Sequence, residues 1–180
     1  MDSRLRWTTI GALSMVLLAA FEAMAVTTIM PLVAADLDGQ ALFSVAFSAT
    51  LAASIIGMVV AGRWSDAKGP AMPLLTAVGA FLVGLLAAGL ATSMEVFIVG
   101  RFFQGLGAGA MTVCLYVVVA RLYPAALHPR VFGAFAAAWV IPSMIGPLIA
   151  GIVAEAISWH WVFLGVAVLV VAALISMTPA

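Results

Sequence analysis

Two ionisable side chains of this chain stand where hydrocarbon is expected. Arg101 lies in the segment 95–122, EVFIVGRFFQGLGAGAMTVCLYVVVARL, which is long and apolar enough to cross a bilayer. Glu22 lies in an earlier apolar run, 7–33. A guanidinium keeps its charge, and placing one in a membrane span costs at least about 2.5–3.5 kcal/mol, so such residues face a bundle interior or an aqueous cavity. A carboxyl can instead load and release a proton; burial favours its neutral form and a nearby guanidinium its charged form. The chemistry open to this pair is proton exchange, attraction of a cationic solute, or a structural ion pair. Arg101 is followed by Gln104, Gly105, Gly107 and Gly109. A spacing of four puts Arg101, Gly105 and Gly109 on nearly one helical face, a groove where another helix or a solute can approach the backbone.

Bond-making chemistry finds no support. There is no Gly-x-Ser-x-Gly, no paired carboxylates and no metal-ligand cluster, and neither His128 nor His160 lies well inside an apolar run. The chain does not read as an enzyme, and no metal or cofactor is expected. Cys114 is the single cysteine and can form no internal disulfide. Seven Lys/Arg balance seven Asp/Glu, so no nucleic-acid partner is suggested either.

The elements that must position these side chains are membrane helices. Hydrophobic residues make up 66% and charged residues 8%, against about 25% charged in soluble domains. Six spans are predicted, at about 7–33, 41–61, 71–91, 95–122, 131–154 and 159–177, joined by DLDGQ, GRWSDAKGP, ATSME, YPAALHPR and AISWH. Arg4 and Arg6 before an apolar run superficially suggest a signal peptide, but that run is too long and reads as a first span. No linker divides the chain, so residues 1–180 are expected to form one all-α, six-helix domain. Thr92 and Glu95 have the form of a capping box opening span 4.

The loops give the orientation. Arg4, Arg6, Arg63, Lys68, Arg121 and Arg130 fall at the N-terminus and in the 2–3 and 4–5 loops, all on one side, while the alternate loops hold Asp36, Asp38, Glu95 and Glu155. That bias puts both termini in the cytoplasm. Trp7, Trp64, Trp159, Trp161 and Tyr123 lie near span ends, as interfacial anchors do. At 1.5 Å per residue, Glu22 lies about 22 Å beyond Trp7 and Arg101 about 9 Å inside Glu95, similar depths in the outer half of a core about 30 Å thick.

Packing signals point to close helix association. Ala49, Ala53, Gly57 and Ala61 form a small-residue stripe in span 2; Ala138, Pro142, Gly146, Ala150 and Ala154 form a longer one in span 5. Pro142 and Pro147 each remove a backbone donor and should let span 5 bend. In the 2–3 loop, Gly62 and Gly69 would permit a sharp turn, and Asp66 could pair with Arg121 to stabilise one closed state or be merely a solvated charge.

These residues together resemble the major facilitator superfamily. Gly62-Arg63-Trp64-Ser65-Asp66-Ala67-Lys68-Gly69 looks like its signature 2–3 loop, and Arg101-Phe102-Phe103-Gln104-Gly105-Leu106-Gly107 is similar to its Arg-x-x-Gln-Gly-x-Gly motif. Gly146-Pro147-Leu148-Ile149-Ala150-Gly151 resembles the antiporter motif of its exporters, with Pro142 where that motif has its first glycine. Ser158-Trp159-His160-Trp161-Val162-Phe163, and Phe21-Glu22-Ala23-Met24 with Thr27-Thr28-Ile29-Met30-Pro31, are like the corresponding segments of its drug:proton antiporter branch.

The resemblance implies a fold and a function. The fold would be the N-terminal half of a twelve- or fourteen-span transporter, built as two inverted three-helix repeats with spans 1 and 4 facing a central cavity. Glu22, Arg101 and Gln104 would then serve proton coupling in the cavity. A structural Glu–Arg pair, or Arg101 anchored on Phe102 or Phe103, is the competing reading. Asp66 and Arg121, with Gly62 and Gly69, would gate the cytoplasmic side; Pro142, Gly146, Pro147 and Gly151 would let span 5 rock. The implied function is export of drugs or small amphipathic metabolites by alternating access, powered by a proton gradient rather than a cofactor, in a bacterial plasma membrane. Its partners would be a small-molecule substrate, the lipid bilayer, and a second six-helix half or a second copy of the chain. A non-transporting half or interaction module, inert without that second half, is the alternative.

Overall fold

A computed structural model describes residues 3–177, with side chains described for 8–175. The side chains of Arg4, Arg6 and Trp7, used above for orientation and anchoring, lie outside the described residues, as do both ends of the expected 1–180 domain. Six helices follow one another: α1 (Ser3–Asp36), α2 (Phe43–Lys68), α3 (Ala71–Gly89), α4 (Met94–Leu122), α5 (His128–Ala156) and α6 (His160–Met177). Two short 3-10 turns, Gln40–Leu42 and Ala125–Leu127, lead into α2 and α5. Hydrocarbon offers the backbone no partners, so apolar spans must satisfy their N–H and C=O groups internally, as a helix does. Helices α1 to α5 are long and apolar enough to cross a membrane, and α6 is a shorter apolar helix. Large apolar side chains such as Leu51, Ile55, Met144, Leu148 and Val168 are exposed on the bundle's outside, which suits lipid rather than water.

Three local expectations are corrected. Helix α2 does not stop near residue 61 but runs on to Lys68, so most of the predicted 2–3 loop is helix. Nothing in Arg63–Lys68 opposes a helix; only Gly69, at φ 85°, and Pro70 break it. Gly62 consequently lies inside a helix and makes no turn. Helix α4 is opened by Ser93 rather than a Thr92–Glu95 box: Ser93 has the extended backbone of a cap, and its Oγ accepts the Val96 N–H at 3.4 Å. Trp159 stands at the start of α6 as expected, but it is packed inside the bundle rather than turned outward as an anchor.

The packing pattern carries an internal symmetry. Helix α2 lies along α4 as α5 lies along α1; α3 lies on α4 as α6 lies on α1; α3 and α6 pack on one another. Exchanging the first three helices with the last three leaves this set unchanged, as two repeats related by a pseudo-twofold axis require. The buried residues repeat too. Ala46, Ala53, Gly57, Ala61 and Ser65 of α2 have the same spacing as Val131, Ala138, Pro142, Gly146 and Ala150 of α5. The small-residue stripes predicted on spans 2 and 5 are therefore one feature, used once in each repeat.

Helix α4 is the most enclosed element, because its glycines admit neighbouring backbones. A Cβ at Gly105 would strike the carbonyl of Thr50 and one at Gly109 that of Ser54, both on α2. On the other side, a Cβ at Gly100 would meet Ala88 and one at Gly107 would meet Ala77 and Phe81, all on α3. Those neighbours are main chain and cannot swing aside. Gly105→Ala and Gly109→Ala should each destabilise the bundle by about 1–3 kcal/mol or more, the usual range for overpacking. Gly79→Ala and Gly133→Ala, which open onto empty space, should be nearly neutral. Thermal unfolding in detergent, followed by circular dichroism, separates the two pairs.

Candidate functional site

Spacing on α4 sets up the site. Gln104 follows Arg101 by three residues, one turn of helix, so the two side chains share a face. Nη1 of Arg101 donates to Oε1 of Gln104 at 2.8 Å and also to Oε1 of Glu22 on α1. The pair predicted from residue depth thus joins the central helices of the two repeats. Glu22 and Arg101 are each 4% exposed and Gln104 1%. Theirs is the only ion pair within 4 Å among the described residues.

The glycines explain how a charge can be held here. Gly100 and Gly105 immediately bracket the Arg101–Gln104 turn, and Gly84 of α3 abuts Gln104 directly. With no side chains at these points, α2 and α3 close over α4 and keep lipid from the polar group. The groove seen in the sequence is accordingly occupied by helix α2, not by a solute. Phe102 and Phe103 stand on other faces of α4, partly exposed and edge to face with each other at 6.0 Å, and do not anchor Arg101.

The polar group is left incomplete. Nε of Arg101 and Nε2 of Gln104 are buried donors without an acceptor. An unmade hydrogen bond at such a place costs about 1–3 kcal/mol. Two adjacent orphan donors beside a carboxylate make a site that can take an oxygen acceptor. Among the described residues no group of His, Cys, Asp and Glu could hold a metal ion.

At the end of the bundle that carries the loop cations, the structure separates residues that the sequence suggested would meet. Arg121 does not pair with Asp66; its Nη2 donates to the backbone carbonyl of Ser65 at 3.0 Å. The N–H of Gly69 reaches the same oxygen at 2.9 Å. Because α2 stays helical here, Asp66 is turned about 100° from Ser65 and is exposed. Ser65 is buried, with Oγ 3.7 Å from Sγ of Cys114. It was legible as the next member, four residues on, of the Ala53–Gly57–Ala61 stripe.

In α5, Pro142 and Gly146 face α1, where Gly146 comes close to Phe21 and Met24, the neighbours of Glu22. The helix continues through Pro142 and Pro147 to Ala156. Gly151 lies off the buried stripe and opens onto empty space. At the opposite end lies a tie that no sequence pattern announced: Nε1 of Trp159 donates to Oδ2 of Asp36 at 2.9 Å, pinning the start of α6 to the end of α1. Trp159 also packs edge to face on Phe97 and Phe163.

Comparison with known proteins agrees with this architecture. The family profile of the Major Facilitator Superfamily matches residues 12–179. "Multidrug resistance protein 3" of Bacillus subtilis is 31% identical over 158 residues, 88% of this chain and 31% of the relative. "Multidrug efflux pump SdrM" of Staphylococcus aureus is 26% identical, covering 87% of this chain and 35% of the relative. "MFS efflux transporter aclA" of Aspergillus oryzae is 32% identical, covering 81% and 26%. The chain thus spans about a quarter to a third of the length of these relatives. A crystal structure of a D-xylose-proton symporter superposes with a TM-score of 0.85 at 15% identity, covering 98% of this chain and 49% of the symporter.

The ion pair generates a stability prediction. Arg101→Met leaves Glu22 buried without its partner and should cost about 3–5 kcal/mol, whereas adding Glu22→Leu to it should recover most of the loss. Melting temperatures of the two variants in detergent provide the measurement. Equal destabilisation of the single and double variants would show that the two charges are not coupled.

Proposed function

The chain belongs to the Major Facilitator Superfamily, and on that premise we propose that it supplies the N-terminal six-helix half of a proton-coupled exporter of drugs or small amphipathic molecules. The observation that carries this reading is the buried Glu22–Arg101–Gln104 group between the central helices of the two repeats. A titratable carboxyl beside a permanent cation, deep in a membrane bundle, is a place where one proton changes the local charge balance. With Glu22 ionised the pair is neutral and α1 is tied to α4. With Glu22 protonated, Arg101 is left with a net charge and an unsatisfied guanidinium, which favours opening toward water. The orphan Nε of Arg101 and Nε2 of Gln104 are the donors a water oxygen would meet. A cationic solute drawn to the ionised Glu22 carboxylate would compete with the proton for it, which is the requirement for exchange of one against the other.

The motion would use the features around this group. Pro142, Gly146 and Pro147 in α5 weaken the helix that packs beside Phe21 and Met24, on either side of Glu22 in the sequence. At the cytoplasmic end, Arg121 on the Ser65 carbonyl ties α4 to α2, and exposed Asp66 is free to meet a cation on the second half when that side closes. The small share of each relative that the chain covers supports a second reading, a half or interaction module that moves nothing until a second six-helix bundle, or a second copy, faces it.

Dye efflux from vesicles under an imposed pH gradient tests the proposal, using the chain together with its second half. Glu22→Gln and Arg101→Ala should each lower gradient-driven efflux at least tenfold. Efflux by Glu22→Gln at the wild-type rate would end the proton role. Asp66→Asn should slow transport severalfold with unchanged yield of inserted protein; an unaltered rate would leave Asp66 a solvated charge. Native mass spectrometry of the chain alone, with and without efflux, distinguishes a working homodimer from an inert monomer.

A further inference from the structure

A large apolar cavity lies away from the polar group. It is an open groove of about 590 Å³, floored by α1 and walled by α5 and α6, with Leu13, Leu17, Ala134, Ile141 and Leu169 on its surface and Ser14 as its one polar residue. Its α1 residues run from Ile10 to Leu18, about 12 Å along the helix, close to the roughly 15 Å depth of one leaflet's hydrocarbon. All three helices contribute the halves nearest the side that carries the loop cations, so the groove lies in the inner leaflet.

The pseudo-twofold axis would place a counterpart between α2, α3 and the outer half of α4. That position is closed, because Gly84 and Gly100 bring α3 and α4 into backbone contact. On α6, a Cβ at Gly165 would meet nothing within 4 Å. The other repeat's opening, about 280 Å³ between α2, α3 and α4, lies instead beside Gly57, Trp64 and Pro73, nearer the side that carries the loop cations.

Its mouth is charged. Arg130 precedes Ala134 by one turn on the same face of α5, at the cytoplasmic end of the groove, and is exposed with no ion pair among the described residues. No acidic residue lines the groove. We propose that this groove is a binding site for one anionic phospholipid of the inner leaflet, an acyl chain lying between α5 and α6 and its phosphate on Arg130. A basic group at the cytoplasmic rim of a cleft between membrane helices is the arrangement that holds acidic headgroups, and the apolar lining excludes water from the chain. Arg130 can reach the headgroup level from within the first turns of α5 by extending its guanidinium toward the interface. The site is independent of the proton-coupling group and of the export reading.

The full-length protein, purified in mild detergent and stripped of lipid, is exposed separately to vesicles of phosphatidylglycerol and of phosphatidylcholine, and retained lipid is counted by native mass spectrometry. One phosphatidylglycerol should be retained in preference to phosphatidylcholine by about fivefold, the effect expected of a single basic residue. Arg130→Gln should abolish that preference. Ala137→Trp, which fills the groove from an exposed position on α5, should reduce retention of either lipid. Arg130→Gln lies at the surface and keeps the test open should the tryptophan variant fold poorly. Equal retention of both lipids by the wild type, undiminished phosphatidylglycerol retention in a folded Ala137→Trp variant, or a dimer abolished by Ala137→Trp would overturn the proposal.

Discussion

Everything central to this bundle answers to one constraint, that an unneutralisable guanidinium sits in the middle of apolar helices. Arg101 can be held there only if its charge is matched and lipid is kept away. Glu22 supplies the match from α1, and Gln104 an additional acceptor from the next turn of α4. The glycines supply the exclusion. Gly100, Gly105, Gly107 and Gly109 let α2 and α3 approach α4 until their backbones touch it. A helix that dense with glycine would be weak on its own; packing on two sides compensates for the lost side-chain contacts.

The two repeats share a plan and divide its properties. Small residues at identical spacing on α2 and α5 seat those helices on α4 and α1 respectively. On the α4 side the seat is glycine against main chain, which leaves no slack. On the α1 side it is Pro142 and Gly146 against Phe21 and Met24, where the contacts are ordinary van der Waals separations between side chains and a stripe with room. Side chains can re-pack where backbones cannot. The rigid arginine and the titratable glutamate thus come from helices of unequal freedom.

Ties at the two membrane surfaces close the ends of the helices in different ways. At one end an indole N–H on Asp36 joins α6 to α1; at the end that carries the loop cations, Arg121 on the Ser65 carbonyl joins α4 to α2. Both use a long side chain to reach an acceptor near a helix end: a carboxylate oxygen of Asp36 in one, and in the other the Ser65 carbonyl, which also accepts the Gly69 N–H. Neither tie was legible in the sequence. Asp36 and Arg121 were countable there as loop charges, because hydropathy reports that a charge lies near a span end but not which neighbouring helix comes within its reach.

The amino-acid sequence by itself determined the membrane helices, their order and direction, the two small-residue stripes, and the presence of Glu22 and Arg101 at similar depth. Those properties follow from composition and from the fixed rise and turn of a helix, which act locally. Tertiary structure decided which helices touch. It made Glu22 the partner of Arg101, filled the glycine groove with α2, carried α2 on to Lys68, and turned Asp66 to the exterior while burying Ser65. Contacts between residues 79 positions apart depend on how six helices rotate about their axes. Nothing in a local pattern sets that rotation; it is fixed only when the glycine surfaces of α4 meet the two backbones that fit them.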